Sequence, residues 1–252
     1  MILIDEPAPH IVRLRINRPE KRNAIDRGVR EALVDAMRSL GSGTRALVLG
    51  GVGGTLSAGG DVATMVGMTE AEGRERMQHV HLLCRLIASC PLPVVTALEG
   101  FAAGAAVGLA LLGDHVVVGE SSRLLFPFLR LGLAPDWGLL HTLPRRVGLA
   151  VARRLLVSGA SVSGAEACQL GLADEDAGAG DIAAAAVTRA SVLAQLPAEA
   201  FARMKARLAH PSATLEEEWP REEADQVALF ASADFAEGLS AFTEKRPARF
   251  AQ

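Results

Sequence analysis

The segment Glu99–Asp114, EGFAAGAAVGLALLGD, limits what this chain can fold into more than any other stretch. It follows an apolar, β-branched run at 93–98, so the pattern predicts a strand, a tight turn at Glu99-Gly100 and then a helix. Between residues 103 and 112 no side chain is charged or polar, which predicts a helix buried on all sides. Apart from Glu99, no side chain is placed to cap the first amides, so a ligand oxygen is a natural partner for them.

Two glycines of this segment, Gly104 and Gly108, stand one helical turn apart on one face of the predicted helix. Because neither has a Cβ, another backbone or a slim ligand is able to come close. A core helix that uses glycine only for tight packing explains the same pattern, and short glycine patterns are unspecific. The pattern therefore predicts a close approach and leaves open what approaches.

The composition excludes several classes of protein. Half of the 252 residues are hydrophobic and 22% are charged, which is typical of a globular chain with a large core. The net charge of −3, from 26 basic and 29 acidic residues, argues against a nucleic-acid binder. Three isolated cysteines in apolar contexts indicate neither disulfides nor a zinc site, and predict a reduced, cytoplasmic protein. No apolar run reaches the roughly 20 residues that a membrane span needs, and the acidic N-terminus is unlike a signal peptide.

Hydrophobic periodicity predicts strands alternating with helices, and helices alone after Asp181. The predicted strands are 2–5, 10–16, 45–49, 93–98, 115–119 and 123–126. The first predicted helix is capped by Asp26 and ends near Leu40, the second spans 70–89, and the third is the helix of the opening segment. A fourth helix opens at Pro135-Asp136, and a fifth spans 163–172 and is ended by Gly171. Three or four further helical segments are separated by Pro197, Pro211 and Pro220. This order favours a spiral of strand, strand and helix turns with a helical tail.

A second junction follows the strand at 45–49, in the glycine-rich stretch GGVGGTLSAGGDVATM. A dinucleotide-binding pattern that starts at Gly51 requires its third glycine at Leu56, so that interpretation fails on spacing. A helix is expected to begin near Asp61, with Asp61 as its cap, immediately after Gly60. This junction therefore predicts a second glycine amide without a partner.

Six long stretches now carry a family resemblance. They are NRPEKRNAID, LSAGGDVATM, EGFAAGAAVGLALLGDH, PFLRLGLAPDWG, LVSGASVSGAEACQLGLADE and EGLSAFTEKRPARF. With these motifs in this order, the chain resembles the crotonase superfamily of enoyl-CoA hydratase/isomerase proteins over essentially its full length. The resemblance implies an α/β fold with a spiral ββα core over residues 1–196. Residues 197–252 would form a C-terminal helical region that builds trimers, often paired into hexamers.

The same resemblance implies a substrate and a site. Members hold an acyl-CoA thioester with its carbonyl oxygen between two backbone amides, which match Gly60 and Ala105, and these amides stabilise an enolate. No cofactor is implied beyond the CoA moiety of the substrate, and no metal. The residues implied to contact CoA are Lys21, Arg22 and Ala24 along its path, Ala58 and Asp61 near the adenine, and Phe242 and Lys245 from a neighbouring subunit. From the residues alone, a basic loop at 18–22 is usually just solvated.

The chain departs from the hydratase pattern. The two glutamates that clamp water in efficient hydratases would fall on Gly108 and Phe128, and neither side chain transfers a proton. Asp136 matches the single catalytic aspartate of some family isomerases and the nucleophile of 4-chlorobenzoyl-CoA dehalogenase. Its alternative role is to cap the helix after Pro135. We therefore expect a double-bond isomerase that shuttles a proton through Asp136.

His81 matches the histidine that activates water in the dehalogenase, although Phe128 replaces an indole donor found there. A helix histidine on a half-buried face is the alternative. Besides the isomerase, three hypotheses stay open: a hydratase with an atypical site, a dehalogenase-like hydrolase, and a non-catalytic acyl-CoA binding protein. All four take an acyl-CoA thioester as ligand and other copies of the chain as partners.

Overall fold

The fold begins with the predicted N-terminal hairpin, in a computed structural model that describes residues 1–250. Strands β1 (Ile2–Ala8) and β2 (Ile11–Ile16) pair antiparallel. Helix α1 (Arg27–Arg38) follows, and the Oδ1 atom of Asp26 accepts the Val29 amide at 2.9 Å. Asp26 is therefore the helix cap that the sequence predicts.

The remaining elements follow in chain order. They are β3 (Ala46–Gly51), α2 (Glu70–Ala88), β4 (Val94–Ala97), β5 (Phe101–Ala103), α3 (Ala105–Ala110), β6 (His115–Val118), β7 (Arg123–Leu125), α4 (Leu139–Ser158), β8 (Ser161–Ser163), α5 (Gly164–Leu170), β9 (Glu175–Asp176), α6 (Ile182–Leu193), α7 (Ala198–Ala209), α8 (Leu215–Phe230) and α9 (Ala233–Glu244).

Two sheets share these strands. The larger has the order β1-β2-β3-β4-β6-β9 and is parallel beyond the hairpin, while the smaller has the order β5-β7-β8. Successive turns of the chain give one strand to each sheet, first β4 and β5, then β6 and β7. The α/β spiral of ββα turns is therefore confirmed.

The opening segment is only partly as predicted. All six residues of α3 are buried, as expected. The helix is shorter than expected, however, because residues 101–103 form β5, which pairs with β7. Gly104 lies outside the helix at its N-cap, with φ +52°. The strand was missed because its hydrogen-bonding partner lies about twenty residues further along the chain.

Two predicted helix starts are wrong. After Asp61 the chain makes one 3₁₀ turn, Val62–Met65, and the Asp61 side chain caps nothing. The helix expected at Pro135-Asp136 begins at Leu139 with Gly138 as its N-cap. It starts late because Trp137 and Gly138 adopt left-handed φ angles of +54° and +72°.

The C-terminal part is helical, as predicted, but Pro220 does not separate segments. Pro220 lies inside α8, which has no buried residue, so water is able to reach the carbonyl that lacks a partner. Helix α7 is held to the core by Lys205, whose Nζ lies 2.6 Å from the Asp114 carboxylate. The predicted boundary at 196/197 falls between α6 and α7. The division into a core and an oligomerisation region stays a prediction.

Helices α8 and α9 leave large apolar side chains exposed in the single chain. These are Leu215, Trp219, Val227, Phe230, Phe235, Leu239 and Phe242. Clustered apolar exposure on a water-soluble surface marks an interaction site. No helix within residues 1–250 combines the length and apolar character needed to cross a bilayer.

Candidate active site

The fold brings the two predicted junctions side by side. Ser57 forms a parallel bridge with Ala102, and the Ala103 amide donates to the Ser57 carbonyl at 3.1 Å. Gly59, at φ +88°, lies against the Ala103 carbonyl, and a Cβ built on it would be 3.5 Å from the Ala105 nitrogen. The segments 57–60 and 102–105 therefore pack backbone to backbone, with no side chain between them.

Two amides of these segments have no acceptor within residues 1–250: those of Gly60 and Ala105. Their neighbours are satisfied. The Gly59 amide donates to the Ser57 hydroxyl at 3.0 Å, and the Gly104 amide donates to the Leu125 carbonyl at 2.9 Å. Ala105 is buried and Gly60 is partly buried, and a buried donor without a partner costs about 1–3 kcal/mol, so an acceptor that enters between the two amides would be bound favourably. The unpartnered amides expected at both junctions are therefore present.

The backbone of Asp136 lies against α3, the helix that begins at Ala105. Its Oδ1 atom is buried and has no hydrogen-bond partner. Burial raises the pKa of this carboxyl, and the positive charges of Arg76 and His81 oppose that rise. Because the α4 cap is Gly138, without a side-chain cap bond, the helix-cap role considered for Asp136 is wrong. The geometry leaves a buried carboxylate oxygen free to take a proton.

Gly108 explains how Asp136 comes so close to α3. A Cβ on Gly108 would be 2.5 Å from the Trp137 Cβ and 3.4 Å from the Asp136 carbonyl oxygen. The close approach predicted for this glycine is therefore made by the backbone of residues 136–137. No glutamate side chain fits at this position without displacing that backbone.

At the second position where hydratases carry a glutamate, this chain has the apolar side chain of Phe128. Phe128 is 5% exposed, and its ring lies 3.7 Å from where a Cβ on Gly104 would be. At both positions where hydratases carry a carboxylate, closely packed groups therefore occupy the space: the 136–137 segment beside Gly108, and the ring of Phe128.

His81 lies on α2 and is exposed, whereas the sequence suggested a half-buried face. Its charge acts on Asp136 and lowers the pKa of that carboxyl. His81 is thus close enough to Asp136 to influence it electrostatically. Its catalytic role stays a prediction.

The predicted CoA-contacting segments also meet. The Ala58 amide donates to the Arg22 carbonyl at 2.8 Å, and the Ile25 amide to the Gly59 carbonyl at 2.7 Å. Lys21 and Arg22 are exposed on one side of this pair, and Ala24 is buried within it. This arrangement suits an anionic ligand that passes Lys21 and Arg22 on its way to the junctions.

Arg18 and Asp61 are engaged with each other in this loop. The Arg18 guanidinium lies 3.4 Å from the Asp61 carboxylate and 3.0 Å from that of Asp26. The expectation that the whole basic loop is solvated is therefore wrong for Arg18, which is tied down by two carboxylates. Asp61 positions Arg18 instead of capping a helix.

The residues expected from a neighbouring subunit lie at the end of α9. Phe242 is 83% exposed, and Lys245 ends the helix in a left-handed conformation with φ +55°. An exposed phenylalanine suits contact with another molecule. Their approach to the CoA of a second copy stays a prediction.

Two arginines at the site were missed from the sequence. The Nη2 atom of Arg76 lies 3.2 Å from where a Cβ on Gly60 would be. Arg30 is 3% exposed, and its Nη1 atom has no partner. A signal was present: Arg30 falls in the apolar stripe of α1 with Leu33 and Met37, where a charged residue is unusual.

Within residues 1–250 no three His, Cys, Asp or Glu side chains are grouped so as to hold a metal ion. The polar groups that the site presents are two backbone donors, a buried carboxylate oxygen and nearby cations.

A family model described as "Enoyl-CoA hydratase/isomerase" matches residues 7–252. The chain belongs to this family. The resemblance to the crotonase superfamily is thereby confirmed.

Relatives cover nearly the whole chain. The "probable enoyl-CoA hydratase" of Rhodobacter capsulatus is 36% identical over 243 residues, or 94% of this chain and 93% of that protein. The 1,2-epoxyphenylacetyl-CoA isomerase of Escherichia coli is 31% identical over 95% of this chain and 94% of that protein. The crystal structure of an enoyl-CoA hydratase from Bacillus anthracis has a TM-score of 0.92 at 26% identity, covering 99% of this chain and 98% of that one.

Family membership makes this protein an acyl-CoA enzyme and leaves the reaction open. Among eight relatives that are 31–36% identical to this chain, seven have the word hydratase in their names and one is called an isomerase.

Proposed function

We propose that this protein is an acyl-CoA double-bond isomerase with Asp136 as its single acid–base residue. The observation that carries the proposal is the lone carboxylate. Asp136 presents a buried oxygen without a partner beside α3, while the two hydratase positions hold Gly108 and Phe128.

In this mechanism the thioester oxygen accepts hydrogen bonds from the Gly60 and Ala105 amides. Loss of a proton from the α carbon of a β,γ-unsaturated thioester leaves a dienolate, whose negative charge develops on that oxygen. Donors fixed in advance stabilise this charge, and one such donor is worth about 2.7–4 kcal/mol of barrier. The Ser57 hydroxyl, which accepts the Gly59 amide and donates to the Asn23 carbonyl, keeps the loop in place.

Asp136 then acts twice. As a carboxylate it takes the α proton, and as a carboxylic acid it returns a proton to the γ carbon, which leaves the double bond conjugated with the thioester. One base suffices because the first half-reaction makes the acid that the second needs. The raised pKa of Asp136 makes it a stronger base once ionised, and the Arg76 charge favours ionisation.

Asp136→Asn tests the proposal directly. We expect kcat on a 3-enoyl-CoA to fall about 10²–10⁴-fold, because the amide cannot accept the α proton. Formation of the conjugated 2-enoyl thioester, followed by its absorbance, measures the rate. Asp35→Asn, an exposed aspartate of α1, is the matched control and should leave kcat unchanged. Full activity of Asp136→Asn would remove the assignment.

Stability against pH separates loss of chemistry from loss of fold. Because burial raises the folded-state pKa of Asp136, its ionised form opposes folding. The contribution of Asp136 to stability is present below its unfolded pKa and is lost as pH rises through the folded pKa. Asp136→Asn should therefore be at least as stable as the wild type at pH 7, measured by urea unfolding. A variant that is both inactive and less stable at pH 7 would point to a structural role.

Two other reactions are distinguished by their products. The hydratase names of most relatives favour water addition, which would convert a 2-enoyl-CoA into a hydroxyacyl-CoA. The charge of His81 near Asp136 favours substitution on a halogenated aryl-CoA, in which Asp136 displaces halide to form an aryl ester and His81 directs the water that hydrolyses this ester. A single turnover in ¹⁸O-labelled water would then leave label in the Asp136 carboxyl, which a proton shuttle does not.

The proposal includes a cytoplasmic location and a trimer, alone or paired into a hexamer. Exposed apolar side chains on α8 and α9 support assembly, because a single chain leaves them in water. Light scattering coupled to size-exclusion chromatography measures the assembly, and a monomeric mass would contradict it.

A further inference from the structure

A cleft lies between α1 and α2, next to the two junctions. Its volume is about 740 Å³, which suits a small-molecule ligand. Part of its lining is apolar, from Val66, Met68 and Leu82. The polar part of the lining includes charged side chains of the two helices, among them Arg30 and Arg76.

The acidic side chains of this lining already have partners. Asp26 caps α1 and pairs with Arg18 at 3.0 Å. Glu72 completes the capping box at the start of α2. Glu75 pairs with Arg27 at 3.0 Å. None of the three carboxylates forms an ion pair with Arg30 or Arg76, although the charge of Asp26 acts on Arg30.

Two guanidinium groups of the cleft, those of Arg30 and Arg76, form no ion pair within residues 1–250. Arg30 is 3% exposed, and its Nη1 atom has no partner, although its Nε atom donates to His79 Nδ1 at 3.4 Å. Arg76 makes no hydrogen bond or ion pair within residues 1–250, and the more distant charges of Asp136 and Asp61 only partly oppose the fall in its pKa that burial causes. Burial, and then the charge of Arg76, lower the pKa of Arg30 to about 10, so both groups are positive at neutral pH. An anion bound between Arg30 and Arg76 would reduce the repulsion between the two cations and would accept the hydrogen bond that the Arg30 Nη1 atom lacks.

Arg76 also connects this cleft to the junctions, since its Nη2 atom is 3.2 Å from a Cβ position on Gly60. An anion bound at Arg76 is therefore only a few bonds from a thioester held by the Gly60 amide. Guanidinium groups bind carboxylates through two parallel hydrogen bonds. We propose that Arg30 and Arg76 bind a carboxylate at the far end of the acyl chain, so that the substrate is the CoA thioester of a short dicarboxylic acid. This inference rests on the proposed function, because the thioester must sit at Gly60 and Ala105.

Two saturated thioesters of equal chain length test it by isothermal titration calorimetry. Adipyl-CoA ends in a carboxylate and hexanoyl-CoA ends in a methyl group. The wild type should bind adipyl-CoA about 10- to 100-fold more tightly, as expected for charge-assisted hydrogen bonds in a buried site. Arg76→Gln and Arg30→Met should each remove most of this preference while leaving the affinity for hexanoyl-CoA within about twofold.

Arg74→Gln is the matched control, because Arg74 is exposed on the same helix and pairs with Glu70. It should keep the full preference. Equal wild-type affinities, or a preference that survives Arg76→Gln, overturn this inference and leave the proposed function standing. Inorganic phosphate that binds as tightly as adipyl-CoA, and only with both arginines present, identifies a free-anion site and also overturns it. Failure of both thioesters to bind overturns the proposed function and this inference together.

Discussion

The two sides of the site are built on different principles. On one side, residues 57–60 pack backbone against backbone on residues 102–105 at Gly59, and residues 136–137 approach α3 closely at Gly108. On the other side, α1 and α2 present arginines and apolar side chains to an open cleft. The first side offers two amides, and almost any small residue is able to supply an amide. The second offers functional groups that only particular residues carry, so we assign the common chemistry to the backbone side and substrate choice to the side-chain side.

Removing one backbone donor should have the largest effect. Ala105→Pro deletes an amide that the fold does not use, at the first position of α3, where proline is tolerated in helices. We expect kcat/KM to fall about 10²–10³-fold, with little change in the free energy of unfolding. Steady-state kinetics and urea unfolding measure the two effects.

The matched control is Glu70→Pro, which places proline at the first position of α2 after an extended Thr69. It should leave kcat/KM unchanged. If Ala105→Pro kept wild-type kcat/KM, the Ala105 amide would have no part in catalysis.

Adding a single methyl group to the backbone side should have the next largest effect. Gly59→Ala places a Cβ against the Ala103 carbonyl oxygen and strains a residue at φ +88°. We expect a loss of about 2–3 kcal/mol in the free energy of unfolding, from overpacking and strain together. Gly67→Ala shares the positive φ, at +73°, but its Cβ would meet nothing within 4 Å. Chemical denaturation should show a loss of only about 1 kcal/mol there. Equal losses would mean that the close packing of the two segments contributes nothing.

Neutralising the side-chain side should have the smallest effect, and the opposite sign. Arg30→Met removes a buried charge whose Nη1 atom has no partner, so we expect the free energy of unfolding to rise by about 1 kcal/mol. Arg38→Met is the control on the same helix. Arg38 is exposed in the last turn, where a cation is favourable, so its loss should leave stability unchanged or slightly lower. A lower thermal midpoint for Arg30→Met than for Arg38→Met would show that Arg30 supports the fold instead of opposing it.

Much of the site was predictable from local pattern. The glycine-rich strand ends indicate an unpartnered amide at each junction, and the family resemblance assigns these amides to Gly60 and Ala105. The vacant glutamate positions follow from counting along a motif. Asp26 was correctly predicted as a cap because a cap contacts a residue three positions away in the same chain segment.

Contacts between distant segments were not predictable in this way. The strand β5 depends on β7, and the left-handed Trp137 that delays α4 depends on packing against Gly108. The pairing of Arg18 with Asp61 joins residues 43 positions apart. Local propensity carries no information about such partners.

The sequence by itself determined the family, the ββα order, the two junctions and the lone carboxylate, because each is written in neighbouring residues or in ordered motifs. Only the tertiary structure decided that Asp136 caps nothing, that Arg18 is held by Asp61, and that Arg30 and Arg76 line one cleft in which the Arg30 Nη1 atom has no partner. The physical reason is the same in each case. Burial and charge neutralisation depend on which segments the fold packs together, and two helices separated in the chain share an electrostatic environment only after folding.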